Sequence, residues 1–222
     1  MKKIAVTLLL FTACLISNSQ SASWDSTYRP GTYGLQVGQF RSYPNAADDF
    51  IFLGNSITAF TSWSELLGMS NARNRGISGD ITFGILERLD EVTEGKPARI
   101  FILIGINDIS RNIPDSVILD NYKKIILRIK AASPLTKIYF QTLLPVNNSF
   151  PARNHFNKDE HIRFINEELK KLAVSENITL IDLHPHFLDA ENKLDKKYTM
   201  DGLHLNAEGY KVWVSVLKPY LK

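Results

Sequence analysis

The chain has 222 residues, 44% hydrophobic and 22% charged, which suits a globular domain with a full-sized core. A formal charge of +3 with no basic run gives no ground for nucleic acid or an anionic membrane as a partner. One cysteine, Cys14, leaves no pair for a disulfide within the chain.

The first element is a targeting pattern. Lys2 and Lys3 precede the apolar run IAVTLLLFTACLI, and small polar residues, SNSQSAS, follow. This is the order of a secretory signal, and the run is short for a membrane span. Residues 1–21 are therefore expected to be a signal peptide. Residues 22–222 are expected to be the exported chain, periplasmic or extracellular, with no stable membrane insertion. Loss of Lys2 and Lys3 lowers the formal charge from +3 to +1. Cys14 leaves with the signal, unless it is a lipid-bearing cysteine. Phe11, three residues before it, departs from the usual leucine of such sites, so a free mature chain is the favoured reading.

Residues 22–45 are rich in Trp, Tyr, Gly and Pro without a clear period, and read as an irregular arm packed across the domain. From there apolar runs alternate with helical patterns. Residues 49–53 predict a strand, 59–67 a helix and 71–75 a short strand. Residues 80–92 predict a helix with Ile81, Ile85, Leu86 and Leu89 on one face, and with Asp80 near its unpaired N–H groups. RIFILIG at 99–105 is a strand. Residues 115–132 carry Ile118, Tyr122, Ile125 and Ile129 at helical spacing, and Pro134 lies beyond the end. A strand at 137–143, a helix at 158–174, a strand at 178–182 and a helix at 206–217 with Asn206 as N-cap complete the chain. Strands that are apolar throughout and alternate with helices predict a three-layer α/β/α sandwich around a five-stranded parallel sheet. Ligands in such sheets bind beyond the carboxyl ends of the strands.

Polar residues gather at those ends. The first strand runs into Gly54-Asn55-Ser56, the second into Gly76-Ile77-Ser78-Gly79-Asp80 and the third into Gly105-Ile106-Asn107-Asp108. Asp201-Gly202-Leu203-His204-Leu205 follows the last strand. Each block alone is ordinary: a turn serine, a helix entry, a capping pair, a surface histidine. Together they supply a hydroxyl, an imidazole with a carboxylate, and N–H donors, which is the inventory of acyl transfer.

In this order the four blocks resemble those of the SGNH hydrolases, a branch of the GDSL esterase/lipase superfamily, over residues 49 to about 220. Asn55 replaces the commoner Asp of the first block. The resemblance is closest to small acylhydrolases similar to the catalytic subunit of platelet-activating-factor acetylhydrolase. It implies a flavodoxin-like fold and a carboxylic ester hydrolase that needs no metal or organic cofactor. It implies Ser56 as nucleophile, His204 as base and Asp201 as the group orienting the imidazole. The backbone N–H groups of Ser56 and Gly79 and the side-chain amide of Asn107 become the oxyanion donors. Gly54 is read as allowing a sharp turn, and Asn55 as stabilising it.

Other residues invite a stronger reading than they support. His184 and His186 with Asp182 or Asp189 resemble metal ligands, but no further ligand cluster joins them. Asp80 and Asp108 read as helix-entry or supporting carboxylates. Arg153, His155 and His161 lie in or beside a polar segment, 145–158, that is expected to rim the site. Arg153 or Arg111 is a candidate partner for a substrate carboxylate or phosphate. Secreted relatives commonly remove O-acetyl groups from sialic acids or plant polysaccharides, so the resemblance implies a short-acyl ester of a glycan or small molecule. A lysophospholipase or thioesterase and, from another class, a non-catalytic glycan-binding module are the alternatives.

Overall fold

A computed structural model describes residues 23–222. The expected signal at 1–21 and Cys14 lie outside the described residues. Five strands, β1 (Phe50–Gly54), β2 (Ala72–Gly76), β3 (Arg99–Leu103), β4 (Lys137–Gln141) and β5 (Thr179–Ile181), form one parallel sheet in the order β2-β1-β3-β4-β5. Helix α1 (Tyr33–Ser42) precedes the sheet. Helices α2 (Ser56–Ala59) and α3 (Trp63–Leu67) link β1 to β2. Helices α4 (Thr82–Glu87) and α5 (Leu89–Thr93) lead to β3, α6 (Ile106–Ser110) and α7 (Asp115–Ala132) to β4, and α8 (Asp159–Ser175) to β5. Helix α9 (Ala207–Leu217) closes the fold.

The central strands β1, β3 and β4 are mainly apolar on both sides because both sides are covered. Phe52, Phe101 and Tyr139 occupy paired positions on β1, β3 and β4 and stack in a row. Trp63 of α3 stacks on Phe52 at 3.9 Å and meets Trp213 of α9 edge-on, so α3 and α9 cover that face. The other face receives α7, whose Tyr122 packs on Phe140, with α4, α5 and α8 beside it. The order of connection reverses between β1 and β3, and a crevice opens at their carboxyl ends.

Three expectations are corrected. The arm is not irregular throughout: Tyr33, Val37 and Phe40, at helical spacing, bury one side of α1 against Ile77. The helix predicted at 59–67 is two short helices, since Phe60 ends α2 and Ser62 starts α3. The helix predicted at 80–92 breaks at Arg88. The guanidinium of Arg88 turns inward and is fully buried, pairing with Asp80 at 3.1 Å and Glu91 at 3.0 Å and donating to the Arg75 carbonyl at 2.8 Å. Arg75 pairs with the same Glu91 at 3.1 Å. Burial pushes the Asp80 and Glu91 carboxyls up, against the pull of these arginines. Two carboxylates share the entry to α4: Asp80 accepts the Ile81 N–H at 3.0 Å, as expected, and Asp108, across the crevice, accepts from the Thr82 N–H and hydroxyl.

Candidate active site

The first block is built by close packing. Gly54 keeps an ordinary backbone conformation, contrary to the sharp-turn reading. What it lacks is space: a Cβ there would overlap the Leu103 carbonyl and the Thr58 hydroxyl. The turn itself belongs to Asn55, whose Oδ1 accepts the Ile57 N–H at 3.0 Å and caps α2. Ser56 is thereby the first residue of α2, 8% exposed at the carboxyl end of β1.

The last block reaches it from the other end of the sequence. Ser56 Oγ lies 2.9 Å from His204 Nε2, and His204 Nδ1 lies 2.7 Å from Asp201 Oδ2. The Asp201 contact holds the proton on Nδ1, which leaves the Nε2 lone pair to accept from the serine hydroxyl. Asp201 Oδ1 also accepts the backbone N–H groups of Leu203 and His204, at 3.0 and 2.8 Å. Arg153 adds a contact to Oδ2 at 3.0 Å. Burial opposes ionisation of Asp201, but the hydrogen bonds from the His204 side chain and the two N–H groups outweigh it and hold the carboxyl at about 2. Gly202 makes the turn possible. Its φ is +78°, and a Cβ would strike the Asn147 carbonyl. The Asn147 backbone N–H in turn donates to the Gly202 carbonyl at 2.9 Å, so the segment after β4 is laced to the Asp201–His204 turn.

Gly79, at φ +82°, follows β2 and sits against Pro30 and the Tyr28 hydroxyl of the N-terminal arm. Asn107 follows β3 in α6 and is buried. Its Nδ2 donates to the Asp80 carbonyl at 2.9 Å, and its Oδ1 lies 3.0 Å from His155 Nε2. One Nδ2 proton remains for a ligand. His155 is held neutral: burial, then the neighbouring His204, Arg153 and Arg111 charges, push its pKa down to about 4. A cavity of about 670 Å³ opens beside these groups, lined by Gly79, Asn107, Arg111, Arg153, His155 and Trp24 among others.

All five residues singled out from the sequence, Ser56, Gly79, Asn107, Asp201 and His204, stand at the carboxyl edge of the sheet, where they follow β1, β2, β3 and β5. Arg153 and His155 do rim this edge. His161 is not part of the cavity wall; it pairs with Asp115 at 2.9 Å. His184 Nδ1 binds the Leu143 carbonyl at 2.8 Å, and among the described residues no group of three or more His, Cys, Asp or Glu could hold a metal ion. Sequence reasoning missed the contact of His155 with Asn107 and the place of the arm in the cavity wall. It also missed Phe60, whose ring lies 5.0 Å from that of His204. No local pattern announces these contacts.

This sheet, with a serine, an imidazole and a carboxylate in one hydrogen-bonded line at its crevice, has the architecture of an α/β ester hydrolase. The chain belongs to the GDSL-like lipase/acylhydrolase family, which matches residues 52–212, and it is a carboxylic ester hydrolase. Among curated relatives, the alpha2 subunit of platelet-activating factor acetylhydrolase IB from Homo sapiens is 30% identical over 169 residues, covering 73% of this chain and 71% of that one. A solved structure from Streptococcus pneumonia, described as a platelet activating factor, is 32% identical. It covers 86% of this chain and 92% of its own, with a TM-score of 0.79. The acetyl xylan esterase AlAXEase, 23% identical over 78% of this chain and 100% of its own, has a TM-score of 0.65 and shares the fold.

Proposed function

We propose that the chain is an exported serine esterase that removes short acyl groups, acetyl above all, from carbohydrate esters. The observation that carries the chemistry is the unbroken line from Ser56 Oγ through His204 to Asp201. Ser56 Oγ attacks the ester carbonyl carbon while His204 Nε2 takes its proton. The carbonyl oxygen becomes an oxyanion and meets the N–H groups of Ser56 and Gly79 and the free amide proton of Asn107. Collapse expels the alcohol, which receives the proton from His204. Water, activated by the same imidazole, then releases the acid from the acyl-serine. Asp201, ionised down to about pH 2, holds the tautomer and balances the imidazolium.

The acetyl preference is supported by the relatives named as acetylhydrolases. The carbohydrate side is supported by the cavity, whose wall combines asparagine, serine and arginine side chains with the half-exposed ring of Trp24. Export through residues 1–21, with the mature domain at 22–222, is part of the proposal and rests on the sequence pattern. Among the described residues no helix is long and apolar enough to cross a membrane.

A second reading, a lysophospholipase or thioesterase on the same residues, is favoured by Phe60, 56% exposed beside His204 and able to meet a longer acyl chain. Hydrolysis of 4-nitrophenyl esters from acetate to decanoate by the protein and by Ser56→Ala separates the two. Highest turnover on acetate, lost in the variant, supports the first reading. A maximum at decanoate would turn the assignment to lipid esters.

A further inference from the structure

Two arginines in the cavity wall differ in what they are doing. Arg153 is engaged, with one guanidinium nitrogen on Asp201. Arg111 has no ion-pair partner among the described residues. Its guanidinium carbon lies over the Tyr28 ring, 3.1 Å from the centroid, so the charged group rests on an aromatic face. Tyr28 is itself positioned, its hydroxyl beside Gly79. Arg111 therefore occupies a fixed place in the wall that also contains Gly79 and Asn107, and among the described residues its N–H edge has no partner. Among the described residues the one carboxylate of that wall is Asp25. Asp25 stands at the water-exposed rim, and its Oδ1 is taken by the Thr27 N–H and hydroxyl at 2.7 and 2.6 Å.

We infer that Arg111, stacked on Tyr28, is the specificity determinant for a carboxylate on the alcohol part of the ester, so that the substrate is an acetylated acidic sugar. This rests on the esterase reading above. A guanidinium edge matches the two oxygens of a carboxylate in a paired, charge-assisted contact. One free guanidinium, with Asp25 near the rim, suits a monoanion better than a phosphate dianion. The contact lies beside the oxyanion donors, so the acid group is bound while the acetyl carbonyl faces Ser56.

The test compares two acetyl esters that differ only in this group: a methyl glucuronoside and a methyl glucoside acetylated at the same hydroxyl, with acetate release as the readout. Turnover of 4-nitrophenyl acetate, abolished in Ser56→Ala, first establishes the esterase independently. The parent is expected to prefer the glucuronoside. In Arg111→Gln the ratio of kcat/KM values, acid over neutral sugar, is expected to fall about tenfold, the scale of one charged hydrogen-bond contact. Arg111→Lys should keep part of the ratio, and added salt should lower it in the parent. An esterase active on 4-nitrophenyl acetate that shows no preference between the sugars, or acts on neither, overturns the inference while leaving the esterase standing. A ratio unmoved by Arg111→Gln also overturns it. If that variant instead loses activity on an acetylated lysophosphocholine, Arg111 belongs to a phosphodiester and the carboxylate assignment fails.

Discussion

His155 Nε2 lies 3.0 Å from Asn107 Oδ1, across 48 residues of sequence. Neutral His155 donates its proton there, while Asn107 Nδ2 donates to the Asp80 carbonyl. The two contacts fix which end of the amide is oxygen and which is nitrogen. The remaining N–H can then face only the crevice. On the proposed esterase reading His155 is a positioning residue that acts through Asn107.

Asn107→Ala should lower kcat on 4-nitrophenyl acetate by about 10²- to 10³-fold, the usual effect of losing one oxyanion donor. His155→Ala should lower kcat less, by roughly tenfold, with KM little changed, because the donor is loosened and not removed. A change confined to KM would show that His155 contacts substrate instead.

The same histidine sets a pH dependence of stability. Its folded pKa, about 4, is depressed below the ordinary 6.5. The unfolded chain therefore binds more protons between these values. The contribution of neutral His155 is fully present above pH 6.5 and is lost as pH falls through 4. Chemical denaturation of the protein and of His155→Gln at pH 7, 5.5 and 4 should show a shallower decline for the variant. Parallel curves would exclude this residue as the source.

Asp201→Asn should lower kcat by roughly 10³- to 10⁴-fold, since an amide no longer enforces the Nδ1–H tautomer of His204. Arg153→Ala removes only the outer contact to Asp201, at 3.0 Å and partly exposed. Its effect on kcat with 4-nitrophenyl acetate should stay within a few-fold.

The buried ions beneath the site are a separate matter of stability. Arg88→Met leaves Asp80 with no guanidinium partner and removes one of the two that serve Glu91, and should destabilise by about 3–5 kcal/mol. Gly54→Ala forces a methyl group into the Leu103 carbonyl and Thr58, and should destabilise by about 1–3 kcal/mol. Urea unfolding monitored by tryptophan fluorescence reads both. A neutral Gly54→Ala would mean that β1 and β3 separate more easily than their packing implies.

Much of this is legible in the sequence. The apolar runs around Phe52, Phe101 and Phe140 announced buried parallel strands, because a strand covered on both faces needs no polar alternation. The helix at Arg88 was misjudged because its apolar period runs on past the break, whereas a buried guanidinium with three partners ends it. Helix α1 was missed because its buried face is only three residues wide.

By itself the sequence determined the four blocks and their order, and with them the edge of the sheet at which Ser56, Gly79, Asn107, Asp201 and His204 stand. These are local matters: hydrophobic period, strand length, and turn residues within a few positions of each other. Only the tertiary structure decided which of Arg111 and Arg153 is free, that His155 serves Asn107, and that Gly54 is needed for space and not for its backbone angles. Each of these depends on how segments far apart in the chain come together in space. Arg153 and His155 lie on the segment after β4, which crosses to meet residues 48 positions away in each direction. Contacts at that separation are set by packing and the course of the chain, and they leave no period or motif to read.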